Sequence, residues 1–203
     1  KEFWNLYNRP PKEEYWEYMI LRRDLLVPQD IREIKGSYFT PKIWVEKSQQ
    51  YLTDELGENW QDEYYIWDCC AGTGNLLNGL TNYRNVWAST LDKQDVDVMK
   101  DRISNGWKMF ENHIFQFDFL NDDFSKCTDE LQEILNDEEK RKKLVIYINP
   151  PYGEGDSKVG KGRSGIAISK IQEKYSNEMG YSKRELYIQF IIRIYKEISN
   201  CKL

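Results

Sequence analysis

The sequence is poor in the residues that usually hold metals. His113 is the only histidine, and the four cysteines, Cys69, Cys70, Cys127 and Cys201, form no Cys-x-x-Cys pair. Structural zinc sites are usually built from such pairs or from cysteines with histidines, so we expect no metal site. Free thiols suit a reducing compartment, and we therefore expect a cytoplasmic protein in which His113 and the cysteines have structural roles.

The sequence also lacks a long apolar run and an excess of positive charge. No segment approaches the roughly 20 apolar residues of a membrane helix, and no charged and then apolar leader opens the chain, so we expect no membrane partner. Its 29 basic and 34 acidic side chains give a net charge of −5, unlike a self-sufficient nucleic-acid binder. Any DNA partner must then be held by a local patch or by protein parts outside this sequence.

Aromatic residues, by contrast, are frequent along the whole sequence. The seven Trp, fourteen Tyr and eight Phe among 203 residues argue against long disorder and predict a folded protein. Apolar residues at helical spacing over residues 13–34 predict an N-terminal helical segment, residues 1–34. We expect residues 35–203 to form one domain, and the Lys at position 1 favours a fragment of a longer protein.

Short apolar runs alternate with longer helical patterns. The runs predict strands at residues 64–68, 86–92, 114–118 and 144–149. The longer patterns predict helices at residues 43–56, 75–82, 93–105, 125–143 and 183–199. This alternation is typical of an α/β fold with a Rossmann-like, doubly wound, mostly parallel sheet. The sequence stops where such a sheet would supply a fifth strand, so we expect C-terminal strands to be missing from it.

Some residues carry expectations about packing. Thr40 and Pro41 predict a helix start, with Thr40 as the N-cap and Pro41 as the first helical residue. The last helix, 183–199, is apolar on nearly every face, which predicts burial. Four tryptophans are expected to pack in the core or against helices rather than to stack on bases: Trp44, Trp60, Trp67 and Trp87.

Three of the predicted strands end in a carboxylate, at Asp68, Asp92 and Asp118. Ligands of open parallel sheets sit at the carboxyl ends of strands, so all three side chains are expected to face one crevice. The stretch "DCCAGTGNLL" begins at Asp68, and its Gly72 and Gly74 permit a tight turn and close approach of a ligand, just before a predicted helix.

The glycine pair alone is a weak signal. A dinucleotide fold would have a third glycine where this chain has Leu77, and a plain strand-to-helix turn explains the pair equally well. Asp92 lies about 18 residues after Gly74 and can bind ribose hydroxyls. The combination favours a ligand that contains a nucleoside.

The stretch "NPPY" follows the fourth predicted strand as Asn149, Pro150, Pro151 and Tyr152. Prolines have no N–H and a fixed φ, so the turn is stiff and presents acceptors without local donors. The Asn149 amide oxygen and the Pro150 carbonyl can accept two N–H bonds from one planar amine. Such acceptors stabilise the positive charge that grows on a conjugated amine during attack. If the amine belongs to a base in a nucleic-acid duplex, that base must be flipped out of the duplex to reach the two acceptors. Tyr152 then offers the base a stacking face.

In their order, these motifs resemble those of the S-adenosylmethionine-dependent adenine-N6 DNA methyltransferases of bacterial restriction-modification systems. The resemblance covers about residues 35–199 in the gamma motif order, through "GSYFTP", "DCCAGTGNL", "FDF" at 117–119 and "NPPY". It implies a class I methyltransferase fold, S-adenosyl-L-methionine as the cofactor, and adenine in double-stranded DNA as the target. Cys69, Cys70 and Ala71 stand where the family usually has Pro, Ala and Cys, so small side chains are retained.

The resemblance also implies a role for each matched residue. "GSYFTP" would hold the methionine end of the donor, Asp92 its ribose and Asp118 its adenine, with Phe119 packed on the adenine. The implied partners are a target-recognition domain or specificity subunit, and an endonuclease. The implied donor-binding residues are Phe39, Thr40, Pro41, Asp68, Cys70, Ala71, Gly72, Gly74, Asn75, Asp92, Asp118 and Phe119. The implied catalytic residues are Asn149, Pro150, Pro151 and Tyr152.

Two other interpretations stay open. A protein glutamine N5-methyltransferase also resembles "NPPY", because an amide nitrogen is conjugated too, but "GSYFTP" favours the DNA enzymes. A donor-binding or DNA-binding module that has lost turnover is the third interpretation. Lys158, Lys161 and Arg163 could contact phosphates, although a solvated loop is the preferred interpretation.

Overall fold

The computed structural model of this chain describes residues 40–155 and 167–203. Its centre is an all-parallel sheet of four strands in the order β3-β2-β1-β4. The strands are β1 Tyr65–Asp68, β2 Val86–Thr90, β3 Ile114–Gln116 and β4 Leu144–Ile146. All four lie inside the predicted runs, and the predicted Rossmann-like α/β fold is confirmed.

Eight α-helices occur in the described residues. They are α1 Lys42–Leu56, α2 Trp60–Glu63, α3 Lys93–Ser104, α4 Asp129–Asn136, α5 Glu138–Lys142, α6 Lys170–Lys174, α7 Ser176–Met179 and α8 Leu186–Glu197. The predicted helices at 43–56 and 93–105 are confirmed as α1 and α3. The predicted helical segment at 1–34 lies outside the described residues.

Helices cover both faces of the sheet. On one face, Ile66, Val86 and Val145 pack with residues of α1, α2 and α3. On the other face, Trp67 and Ile146 pack with residues of α4, α6 and α8. Neighbouring residues of each strand thus enter opposite cores, as the alternation of side chains along a strand requires.

The helix predicted at 75–82 is wrong, because this segment forms turns instead. Its main-chain oxygens are used by side chains outside the segment: Gln49 donates to the oxygens of residues 76 and 78, and the Tyr83 hydroxyl donates to the oxygen of Leu77. Gly79 also has a φ of +87°, which ends any helix there. The glycine motif therefore does not precede the N-terminus of a helix.

The helix predicted at 125–143 is divided at Asp137. This residue is extended, with φ −103° and ψ 120°, and its carboxylate accepts the N–H groups of Glu139 and Lys140. Asp137 thereby ends α4 and acts as the N-cap of α5.

The start of α1 also differs from the prediction. Pro41 is the N-cap residue, and no side chain caps the helix. Thr40 lies one residue earlier, and its hydroxyl is bonded to the side chain of Asn149. The tertiary contact has replaced the local cap.

The exposed fractions of the tryptophans and of the α8 side chains test the packing predictions. Trp60, Trp67 and Trp87 are buried as predicted, but Trp44 is 65% exposed, so a core position is wrong for Trp44. The burial predicted for nearly every face of the last helix is also wrong, because Tyr195 of α8 is 73% exposed. The face that α8 does bury carries two polar residues, Gln189 and Arg193.

His113 and Lys202 complete the framework. His113 is buried, its Nδ1 lies 2.9 Å from the main-chain oxygen of Val86, and its ring stacks on Trp87, which agrees with a structural role. Lys202 forms a parallel bridge with Val145 on the outer edge of β4.

Within residues 40–155 and 167–203, no helix is both long enough and apolar enough to cross a membrane.

Candidate functional site

A cavity of about 430 Å³ lies at the carboxyl ends of the strands. The segments that follow β1, β2, β3 and β4 all contribute to its wall. The strand order changes direction between β1 and β4, because β2 lies on one side of β1 and β4 on the other. The cavity therefore occupies the topological switch point, where ligands of such sheets bind.

Most of the residues predicted for the site lie in the wall of this cavity. Those that line it are Thr40, Asp68, Cys70, Ala71, Gly72, Asn75, Asp92, Asp118, Phe119, Asn149 and Pro151. Pro41, Gly74, Pro150 and Tyr152 are not among its lining residues, and Phe39 lies outside the described residues. The structure also adds lining residues that sequence reasoning missed: Leu76, Leu91, Asp95, Leu120, Asn121, Ser169, Leu186 and Phe190.

The two glycines of the turn after β1 have different surroundings. Both have positive φ, +53° at Gly72 and +78° at Gly74, so both shape the turn. Gly72 lines the cavity. A Cβ at Gly74 would lie 2.8 Å from Cη2 of Trp107 and 3.2 Å from Nη1 of Arg102. Gly74 is therefore required by the packing of these two side chains, not by an approach to the cavity.

Asp68 ends β1 and is almost fully buried, with 1% of its surface exposed. Burial raises its pKa from 3.8 to about 7, although the N–H of Cys70, 3.1 Å from Oδ1, opposes this effect. A cationic group in the cavity would stabilise the charged form of this carboxyl. Asp68 can thus change its charge when such a ligand binds.

The two thiols next to Asp68 are poor nucleophiles. Burial raises the pKa of Cys69, and the hydrogen bond with Cys69, followed by burial, raises the pKa of Cys70 well above its ordinary value. Both groups therefore remain protonated at neutral pH, as expected of structural cysteines.

Asp118 organises the loop after β3. One of its oxygens accepts the N–H groups of Leu120 and Asn121 at 3.0 and 3.1 Å, and the other accepts Nδ2 of Asn121 at 2.8 Å. After the neighbouring strand β2, Asp92 directly precedes α3, and Asp95 from the first turn of α3 joins it in the cavity wall.

Phe119 is fixed from α8. Its ring stacks on that of Phe190, with centroids 4.9 Å apart and an angle of 18°. Its main-chain oxygen accepts from the guanidinium of Arg193, which also donates to the oxygen of Asp122 at 2.8 Å and to Glu197 at 2.9 Å. Sequence reasoning missed Arg193, and the one available signal was a cation on the apolar side of a helix.

Asn149 lies in the cavity wall between two hydroxyl groups. Its Nδ2 donates to Oγ1 of Thr40 at 3.1 Å, and its Oδ1 accepts from the hydroxyl of Tyr152 at 3.1 Å. Tyr152 is 58% exposed, and its ring centroid lies 6.0 Å from that of Tyr187 on α8. Asn149 thus faces the same cavity as Gly72, with two tyrosines nearby.

Comparison with known proteins finds a similar fold. No family model matches this chain, and no curated protein matches it either. A solved structure described as "cryoEM structure DrdV-DNA complex" matches 94% of this chain with a TM-score of 0.62 and 14% identity. The likeness is one of fold. This chain spans 22% of the length of that neighbour.

Proposed function

We propose that this chain binds S-adenosylmethionine and methylates the N6 amine of an adenine flipped out of DNA. The observation that carries the proposal is that Asn149, at the end of the β4 segment, shares one cavity with the glycine turn and the carboxylates after β1, β2 and β3. A donor and an acceptor base can be held next to each other only if their sites are contiguous.

The residues of the cavity fit the donor in size and in chemistry. A volume of about 430 Å³ lies within the range of small-molecule sites. Phe119, Phe190 and Leu91 supply apolar wall, which suits an adenine ring. The cavity wall also contains four carboxylates, which suit the two positive charges and the ribose hydroxyls of the donor. These carboxylates belong to Asp68, Asp92, Asp95 and Asp118. When bound, S-adenosylmethionine would supply an electrophilic methyl group.

Asn149 and Pro150 would act on the amine that is methylated. Oδ1 of Asn149 and the main-chain oxygen of Pro150 accept its two N–H groups, which favours a pyramidal nitrogen and stabilises the growing positive charge. Pro150 and Pro151 have no N–H groups that could compete for these oxygens. The hydroxyl of Tyr152 does donate to Oδ1 of Asn149, and the substrate amine would displace it. The charge is stabilised by neutral oxygens, so no general base is needed before attack.

Tyr152 would hold the target base. Its ring lies at the exposed end of the same turn, next to Tyr187, where a base leaving a duplex would arrive. Aromatic stacking contributes about 1–3 kcal/mol per base. The two rings therefore suit a flipped base.

DNA is the proposed substrate because the neighbour in fold was solved as a complex with DNA and because "GSYFTP" resembles the DNA enzymes. The net charge of −5 shows that the duplex must be held by a local surface or by other protein parts. The DNA sequence that is recognised would then depend on that surface or on those parts, and not on the cavity.

The test is methyl transfer from labelled S-adenosylmethionine to adenine-containing DNA. We expect transfer by the wild-type chain and a loss of at least about 100-fold in Asn149→Ala. Asn105→Ala is the matched control, because Asn105 donates to the main-chain oxygen of Asp101 on α3, and neither residue lines the cavity. Undiminished transfer by Asn149→Ala would contradict the proposal.

Two further experiments test the other interpretations. Transfer to a glutamine-containing peptide but not to DNA would favour the protein methyltransferase. Calorimetry separates the remaining outcome: binding of S-adenosylmethionine without any transfer would favour a binding module.

A further inference from the structure

The orientation of the Asn149 amide decides whether the site can work. Only Oδ1 can accept an N–H group of a substrate amine, and a rotation of the amide by half a turn would present Nδ2, a donor, in its place. In the structure Nδ2 faces Thr40 and Oδ1 faces Tyr152.

Both neighbours are hydroxyl groups, and a hydroxyl can donate or accept. Neither contact would therefore fix the amide if the two hydroxyls could rotate freely. The orientation is fixed when one hydroxyl is committed to a single role, and Nδ2 faces Thr40 if Thr40 is committed to accepting. Thr40 is suited to this, because it lines the cavity, so that its own proton can be donated to an acceptor group there.

Thr40 is also held rigidly with respect to Asn149. The helix α1 begins two residues after it, at Lys42, and buries Val45 in the core. One turn later, Ser48 Oγ lies 2.5 Å from the hydroxyl of Tyr147, which is two residues before Asn149. Two contacts therefore join the start of α1 to the segment that carries the amide.

We propose that Thr40 is a positioning residue: by accepting from Nδ2 of Asn149, it turns Oδ1 toward the place where a substrate amine displaces the Tyr152 hydroxyl. This inference rests on the proposed function and deepens it. An acceptor group of the bound donor that takes the Thr40 proton leaves Thr40 able only to accept. Occupancy of the donor pocket then commits the amide to the productive orientation.

Three variants test the role of Thr40. Thr40→Val keeps the shape and removes the hydroxyl, and Thr40→Ser restores it. Thr53→Val is the matched control, because the Thr53 hydroxyl likewise accepts an N–H from a distant side chain, Nε1 of Trp60 at 3.1 Å, and does not line the cavity. Unfolding temperature and donor affinity by calorimetry are measured for each variant.

The first readout does not depend on activity. The chain is labelled with ¹⁵N-asparagine, and the Asn149 side-chain amide is assigned by its loss in Asn149→Ala. We expect one of its protons to be shifted downfield and protected from exchange in the wild type and in Thr40→Ser, more so with donor bound, and unshifted in Thr40→Val. Amide signals that are the same in Thr40→Val and the wild type would overturn the inference.

The second readout is the kinetics of methyl transfer. We expect kcat to fall about tenfold in Thr40→Val, less than for removal of the amide itself, and to recover to within about threefold in Thr40→Ser. The KM for DNA should change less than kcat. An equal fall of kcat in Thr53→Val, or an unchanged kcat in Thr40→Val, would overturn the inference. If the wild type transfers no methyl group, the proposed function fails, and the amide signals alone decide the role of Thr40.

Discussion

The guanidinium of Arg193 donates to the main-chain oxygen of Phe119, a residue 74 positions earlier in the chain. Arg193 is 4% exposed, and its guanidinium carbon lies 4.3 Å from the ring centroid of Phe124 and 5.1 Å from that of Phe119. The last helix therefore holds the loop that forms one wall of the cavity. A change at Arg193 should reach the cavity without touching a ligand.

The first prediction concerns this connection. Arg193→Met removes the donors to Phe119 and Asp122 and leaves Glu197 with Lys174 and Tyr175 as partners. We expect the free energy of unfolding to fall by about 2–4 kcal/mol, because buried acceptors lose their donor. Arg193→Lys keeps the charge but not the planar fork, so we expect a smaller loss of stability. Urea denaturation measures both values.

Arg141→Lys is the control for the effect on the cavity. Arg141 also donates to main-chain oxygens, those of Leu135 at 2.6 Å and Ser199 at 3.2 Å, but does not line or support the cavity. We expect Arg193→Lys to weaken the binding of S-adenosylmethionine by about tenfold through displacement of Phe119, and Arg141→Lys to leave it unchanged. Equal affinities in the two variants, measured by calorimetry, would refute the connection.

The second prediction is a pH dependence caused by Asp68. Its folded-state pKa is raised from 3.8 to about 7 by burial, so the folded protein keeps a proton that the unfolded chain releases near pH 4. The contribution to stability is therefore complete below pH 3.8 and is lost as the pH rises through about 7. Between pH 5 and pH 8 this loss should be about 2–3 kcal/mol.

Asp68→Asn isolates this contribution. The variant cannot ionise and retains an oxygen that can accept the N–H of Cys70. We expect its stability relative to the wild type to increase by about 2–3 kcal/mol from pH 5 to pH 8, measured by urea denaturation at both values. A relative stability that stays constant would show that Asp68 is ionised throughout this range.

The third prediction compares two glycines with positive φ. Gly106 has a φ of +100° with no atom within 4 Å of an added Cβ, whereas Gly74 has a φ of +78° and meets Trp107 at 2.8 Å. Gly106→Ala should cost about 1–2 kcal/mol from backbone strain alone. Gly74→Ala should cost about 1–3 kcal/mol more, because Trp107 and Arg102 must move. Thermal or urea unfolding gives both values, and equal losses would show that the contact at Gly74 relaxes freely.

The fourth prediction concerns the hydroxyl of Tyr152, which occupies Oδ1 of Asn149. Tyr152→Phe keeps the ring and removes this competitor of the substrate amine. A hydrogen bond contributes a net ~0.5–1.5 kcal/mol, so we expect the KM for DNA to fall by about two- to tenfold. Tyr152→Ala, which also removes the stacking face, should raise it. An increase of KM in Tyr152→Phe would mean that the hydroxyl itself assists binding.

Local pattern explains which parts of the fold were predictable. The strands at 65–68 and 144–146 are short apolar runs with a buried position at almost every residue, and a buried parallel strand has few other ways to appear in a sequence. The segment 75–82 also looked helical, but Gln49 and Tyr83 bind its main-chain oxygens. The contacts of Gln49 join distant parts of the chain, so no local pattern contains them.

The site shows the same division. The carboxylates at Asp68 and Asp118 and the turn at Asn149 could be recognised because strand ends and prolines leave local signals. Arg193 and Tyr187 lie in a helix whose sequence pattern predicts only an apolar face. The contact of Arg193 with Phe119 and that of Tyr187 with Tyr152 could therefore not be predicted. The different surroundings of Gly72 and Gly74 were likewise missed, because a glycine has the same conformational freedom wherever it is placed.

The sequence by itself determined the strands, the parallel sheet and the residues that meet at its carboxyl edge, because backbone preferences and the spacing of apolar residues act over a few neighbours. Only the tertiary structure decided that Thr40 binds Asn149 instead of capping α1, that Asp68 is buried enough to titrate near pH 7, and that Arg193 supports the cavity. These properties depend on distances between segments that are far apart in the chain, and such distances exist only after the core has formed.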